Sequence, residues 1–135
     1  MSYTKYNKRA NTLKKLLLLL FIFSFGCNNE NKLTMERGIQ FYEWDMLEEA
    51  IMEFKNVTHA LGSKSSQLEY SKIKLLSRAH HNLAVAYAKK KWYPEATKEA
   101  KKAFALYPSE ENKKVLELIR KKSTSSQEAI KKSIQ

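Results

Sequence analysis

Apolar positions follow two different rules along this chain of 135 residues. Near the start they form one dense run, Leu16 to Phe25. Past Cys27 they recur every three or four positions between charged residues, the spacing of an amphipathic helix. Two blocks of this second kind stand out, "KLTMERGIQFYEWDMLEEAIMEFKNVTHALG" and "SRAHHNLAVAYAKKKWYPEATKEAKKAFALYP". Setting Ala50 on Ala96 aligns Gly38 with Ala84, Phe41 with Tyr87, Leu47 with Tyr93 and Val57 with Ala103. Each block is about 34 residues, the length of a helix–turn–helix unit. Few glycines and prolines interrupt them, so the pattern predicts an all-α fold.

Local chemistry sets the expected boundaries. Ala84 and Ala96 are small residues that let two helix axes approach closely, with Leu83, Tyr87, Tyr93 and Leu106 as the bulk around them. Pro108 cannot continue a helix, and "SEE" starts the next, with Ser109 as N-cap and Glu110 and Glu111 near its positive end. The aligned alanines are 46 positions apart, about 12 more than a tandem array needs. The surplus, "SKSSQLEYSKIKLL", reads as a polar loop at Gly62 to Ser66 and an extension of the next helix, from Gln67 to Lys90, expected to be the longest. Residues 109–122 read as a closing helix with an apolar stripe of Val115, Leu116, Leu118 and Ile119. The polar residues 123–135 read as a flexible tail.

These blocks resemble tetratricopeptide (TPR) repeats. The resemblance rests on Leu83, Ala84, Tyr87, Tyr93, Ala96, Ala103 and Pro108 in one repeat and on Gly38, Phe41, Leu47, Ala50 and Phe54 in the other. The sequence departs from the pattern at His80 and Ala100, and at Thr34, Arg37 and Gly62. It implies a short TPR-like α-solenoid of antiparallel helix hairpins over residues 33–122. Repeats would lie at about 31–62 and 77–108, followed by a capping helix. It also implies a ligand groove along the first helix of each repeat, here Ile39, Tyr42, Arg78, Asn82, Val85 and Lys89. In some family members a basic residue and an asparagine grip a peptide's carboxylates. Arg78 and Asn82 are spaced for that, but their first-repeat equivalents are Lys32 and Glu36.

The first run has a different meaning. Lys5, Lys8, Arg9, Lys14 and Lys15 precede it, and Gly26 and Cys27 follow. Basic residues, a short apolar core and a small residue at the end are the plan of a secretory signal. A spanning helix needs about 20 apolar residues, roughly twice this run. "SFGC" then resembles the lipobox of bacterial lipoproteins, departing from it at Ser24 and Phe25. That resemblance implies a signal peptide over residues 1–26, lipid attachment at Cys27 and a polar tether over 27–32. The protein would be lipid-anchored at the cell membrane or outer membrane, facing the periplasm or the exterior. An uncleaved anchor facing the cytoplasm is the alternative.

Charge refines the picture. The net +11 falls to +6 when residues 1–26 are set aside, with 20 basic and 14 acidic side chains remaining. Residues 78–122 hold 12 basic and 5 acidic side chains, whereas 27–77 hold 6 and 8. Lysines mixed with aromatics in "AKKKW" and "KEAKKAF" could meet phosphates, but a secretory signal directs the chain away from cytoplasmic nucleic acid. No nucleic acid is therefore expected, and anionic headgroups fit the charge better. Adjacent His80 and His81 point about 100° apart on a helix, so no metal site is expected. Neither a catalytic arrangement nor a Gly-rich phosphate loop is visible, so no enzyme and no cofactor beyond the lipid is expected. The reading is a membrane-anchored adaptor or assembly factor of the cell envelope that binds a protein or peptide. The alternative is a surface lipoprotein that takes host or polyanionic ligands on its basic half.

Overall fold

A computed structural model describes residues 30–63 and 67–133, so the segments expected to be a signal peptide and a lipobox, Cys27 included, lie outside the described residues. The described residues form five helices in order: α1 (Glu30–Glu43), α2 (Leu47–Gly62), α3 (Tyr70–Lys89), α4 (Tyr93–Leu106) and α5 (Glu110–Ser133). The described chain is all-helical, as the spacing predicts. It forms a short TPR-like solenoid of antiparallel hairpins closed by α5. None of the described helices is long and apolar enough to cross a membrane.

In α2, Ala50, Ile51, Phe54, Val57 and Leu61 recur every three or four residues, and all five are buried. In α3 the same rule buries Leu76, Ala79, Leu83, Ala86 and Tyr87. Helix α3 packs on α2 before it and on α4 and α5 after it. These contacts join the apolar faces into one core with Met35, Ala50, Phe54, Leu83, Ala96, Leu116 and Ile119.

The two hairpins turn in the same way. Asp45 and Lys91, the only described non-glycine residues with positive φ, both sit at 63°. After α1, the Met46 N–H donates to the Phe41 carbonyl at 2.9 Å and the Asp45 N–H to that of Tyr42 at 3.2 Å. After α3, Trp92 donates to Tyr87 at 2.9 Å and Lys91 to Ala88 at 3.0 Å. This is the Schellman ending, in which a left-handed residue closes the orphan carbonyls of the last turn. Both copies are offset by 46 positions, the spacing of the sequence alignment.

Close packing differs between the hairpins. A Cβ on Gly38 would lie 2.6 Å from the Phe54 ring, so α1 can approach α2 only with glycine there. Forty-six positions on stand Ala84 and Ala100, both buried. The missing aromatic at Ala100 thus goes with a larger residue at Ala84, one side filling what the other leaves.

Three boundaries are corrected. The tether expected over 27–32 already becomes helix at Glu30, where a carboxylate in the first turn meets the positive helix end. Helix α3 has 20 residues, and the longest described helix is α5 with 24. The tail expected to be flexible from residue 123 instead continues α5 to Ser133. It contains no glycine or proline. The hydroxyls of Thr124 and Ser125 donate back to the carbonyls of Arg120 and Lys121, and Lys131 and Lys132 complement the negative helix end.

Candidate functional site: a groove lined by α1, α3 and α5

Helix α3 crosses between α1 and α5, and all three contribute side chains to one groove. Its middle is an apolar pocket of about 90 Å³ lined by Ile39, Tyr42, Phe54, Asn82 and Val85. A wider depression continues past Tyr42 and Val85 to Ala88, Lys89, Leu118 and Lys122. Another, starting from Ile39 and Asn82, runs past Lys74, Arg78 and His81 to Tyr107 and Glu111. All six groove residues expected from the sequence therefore line this surface. Ile39, Tyr42, Asn82 and Val85 meet at one pocket; Arg78 and Lys89 stand on opposite sides of it.

Their spacing explains the meeting. Arg78, Asn82, Val85 and Lys89 follow one another at four, three and four residues, one face of α3. Ile39 and Tyr42, three apart, face them from α1.

Two cations of the groove, Arg78 and Lys89, are already paired. The Arg78 guanidinium lies 3.8 Å from the Glu36 carboxylate. Lys89 Nζ is 2.6 Å from Asp45 and 4.9 Å from the centre of the Tyr42 ring. The hydrogen bond to Asp45 raises the Lys89 pKa above its ordinary value, so it stays charged at neutral pH. Asn82 Nδ2 points at Met35 Sδ at 3.8 Å, a weak contact that a better acceptor would displace. A carboxylate arriving at Arg78 therefore competes with Glu36. This geometry disfavours a two-repeat carboxylate grip.

The two histidines take separate roles. His80 Nδ1 is 2.5 Å from Glu99 Oε2, with both side chains about nine-tenths buried. Burial pushes the Glu99 carboxyl up, but hydrogen bonds from His80 and Lys102, with their charges, outweigh it and hold the pKa below the ordinary carboxylate value. His81 Nδ1 is 2.8 Å from Asn112 Oδ1. The two hydrogens on Asn112 Nδ2 are shared among the Tyr107 carbonyl at 2.8 Å, Ser77 Oγ at 3.1 Å and the Ala103 carbonyl at 3.3 Å. An amide oxygen only accepts, so His81 donates from Nδ1. Among the described residues, no group of three His, Cys, Asp or Glu side chains is placed to hold a metal ion.

Glu99 and Asn112 were not singled out in the sequence. A signal for the first existed: Glu53 lies 46 positions earlier and is also held by a cation, with Arg37 bonding both oxygens at 3.3 and 3.0 Å. Asn112 gives no comparable signal, because three of its acceptors are backbone or distant in sequence. No protein-family model matches the chain, and neither a curated relative nor a solved structure matches it.

Proposed function

We propose that this protein is a lipid-anchored, non-enzymatic adaptor that binds a partner segment along the groove of α1, α3 and α5. The observation that carries the reading is the convergence of Ile39, Tyr42, Asn82 and Val85 on one apolar pocket, flanked by Arg78 and Lys89. At about 90 Å³ that pocket suits a single apolar side chain, with the flanking depressions taking the chain on either side. The partner is thus an extended or helical segment with one apolar anchor.

Anchoring through Cys27 would act by concentration, converting a bulk encounter into one at a surface. Val85→Lys together with Tyr42→Ala should abolish capture of a partner crosslinked in intact cells while leaving helicity unchanged. Undiminished capture would move the interface off the groove. For the anchor, palmitate labelling of the wild type with no labelling of Cys27→Ala is the expected result. An unlabelled wild type would remove the lipoprotein reading and leave the groove reading standing.

One observation favours a second reading. Residues 67–133 hold sixteen basic and seven acidic side chains, a net +9. A polyanionic ligand on this half would bind with steep salt dependence, and salt-independent binding would exclude it.

A further inference from the structure

Helices α1 and α3 run side by side in the same direction and in step. Asn82 Nδ2 lies 3.8 Å from Met35 Sδ, and Lys89 Nζ lies 4.9 Å from the centre of the Tyr42 ring, each pair 47 positions apart. The same offset sets Asn31 level with Arg78. Helix α3 begins eight residues before Arg78, at Tyr70, so its first two turns overhang the start of α1 by about 12 Å. The surplus between the repeats thus becomes a projection at one end of the solenoid.

The overhang carries a small aromatic and basic cluster. Tyr70 is 65% exposed, and its ring meets that of Tyr107 edge-on with the centres 6.3 Å apart. Lys74 Nζ lies 5.5 Å from the centre of the Tyr107 ring, and Lys72 is exposed on the same two turns. Glu69 is the acidic side chain next to them. Among the described residues, neither lysine is ion-paired with a carboxylate. Tyrosine rings sit at the headgroup level of a bilayer, where an apolar body and a polar tip are both satisfied.

Chain length decides which end of the solenoid a lipid on Cys27 would hold to a membrane. Asn31 is four residues from Cys27, a span of at most about 14 Å. That matches the overhang of α3. Trp44, an exposed aromatic at the other end, is 13 residues along from Asn31, about 20 Å, and so lies beyond the reach of such a tether.

We propose that the overhang of α3 seats on lipid headgroups, with Tyr70 and Tyr107 at the interface and Lys72 and Lys74 against the phosphates, so that the solenoid stands end-on to the bilayer. This seat rests on the anchoring at Cys27 proposed above. The groove then leads away from the membrane along α3, its Lys89 and Lys122 end outermost, and a partner enters from the aqueous side.

The test uses the full chain, isolated from membranes with its lipid and placed in vesicles of phosphatidylethanolamine and phosphatidylglycerol. Bromine on the acyl chains near the headgroup quenches any tryptophan that touches it. Trp44→Phe with Trp92→Phe and Tyr70→Trp leaves one tryptophan, at the overhang, and all three positions are exposed, so unchanged helicity is expected. Its emission should fall about twofold or more against vesicles without bromine. The wild type, whose two tryptophans lie about 30 Å from Tyr70 at the far end of α3, should keep its emission. Adding Lys72→Glu and Lys74→Glu to the single-tryptophan chain should restore the emission. Continued quenching there would show that the tether alone holds this end and would overturn the seat. Wild-type emission that falls as far as that at position 70 overturns the end-on arrangement. Palmitate labelling of the same preparations separates the two readings. A labelled chain with position 70 unquenched overturns the seat and leaves the anchor standing, whereas an unlabelled chain overturns both.

Discussion

Gly38 and Phe54 meet so closely that one added methyl group would overlap the ring. Gly38→Ala should lower stability by about 1–3 kcal/mol, the usual cost of overpacking, read by chemical denaturation. Phe54→Ala should cost less in the Gly38→Ala background than alone, since the pair then becomes that of Ala84 and Ala100. Additive losses would show that the two residues do not share this space. Glu99 makes a prediction in pH. Its pKa is depressed in the folded state, so its contribution is present above the unfolded value of about 4.3 and is lost as pH falls through the lower folded value. Acid unfolding of Glu99→Gln should show a shallower dependence below about pH 4.3 than the wild type. The small-residue positions Gly38, Ala84 and Ala96 were legible in the sequence because size at a helix contact is a local property. The Glu99–His80 pair was not: its partners are 19 residues apart, and nothing in the composition distinguishes a buried carboxylate from a surface one.

The turns and the closing helix work at the scale of elements. Lys91 adopts the left-handed conformation at an exposed position, where glycine carries no steric penalty. Lys91→Gly should raise stability by on the order of 0.5 kcal/mol, measured as a shift in thermal midpoint. Asp45 is the poorer place for that test, because the change would also remove the Lys89 ion pair. Helix α5 is held by two devices of different kinds. Ser109 Oγ accepts the Asn112 N–H at 3.2 Å, as expected for the cap, while the Asn112 side chain ties α5 to α3 and to the end of α4. Asn112→Ala should therefore speed amide exchange throughout α5 and cost about 2–3 kcal/mol, against about 1 kcal/mol for Ser109→Ala. Equal effects would assign α5 to its cap alone. Its start could be read from "PSEE"; its end could not, because a polar helix projecting into solvent and a frayed tail share one composition.

The described residues are electrically lopsided, acidic over the first hairpin and basic over the half from residue 67 on. Helical spacing and the repeat alignment made the order of the hairpins and the face carrying Arg78, Asn82, Val85 and Lys89 readable beforehand. The pairing of those cations with Glu36 and Asp45 across hairpins was not readable, since it depends on how far α1 and α3 are apart.

Helix α3 touches α2, α4 and α5, and this arrangement has a consequence for how the protein comes apart. Loss of the first hairpin uncovers one side of α3 but leaves its contacts to α4 and α5 in place. The opening of the solenoid should thus be stepwise, α1 and α2 leaving together at lower free energy than the α3–α5 unit, giving two tiers of amide protection instead of one. In that half-open state, Ala79, Leu83 and Ala86 would be bared while the Asn112 network still stood. A protease or chaperone meeting the chain would encounter a defined three-helix remnant with one greasy flank, not a random coil.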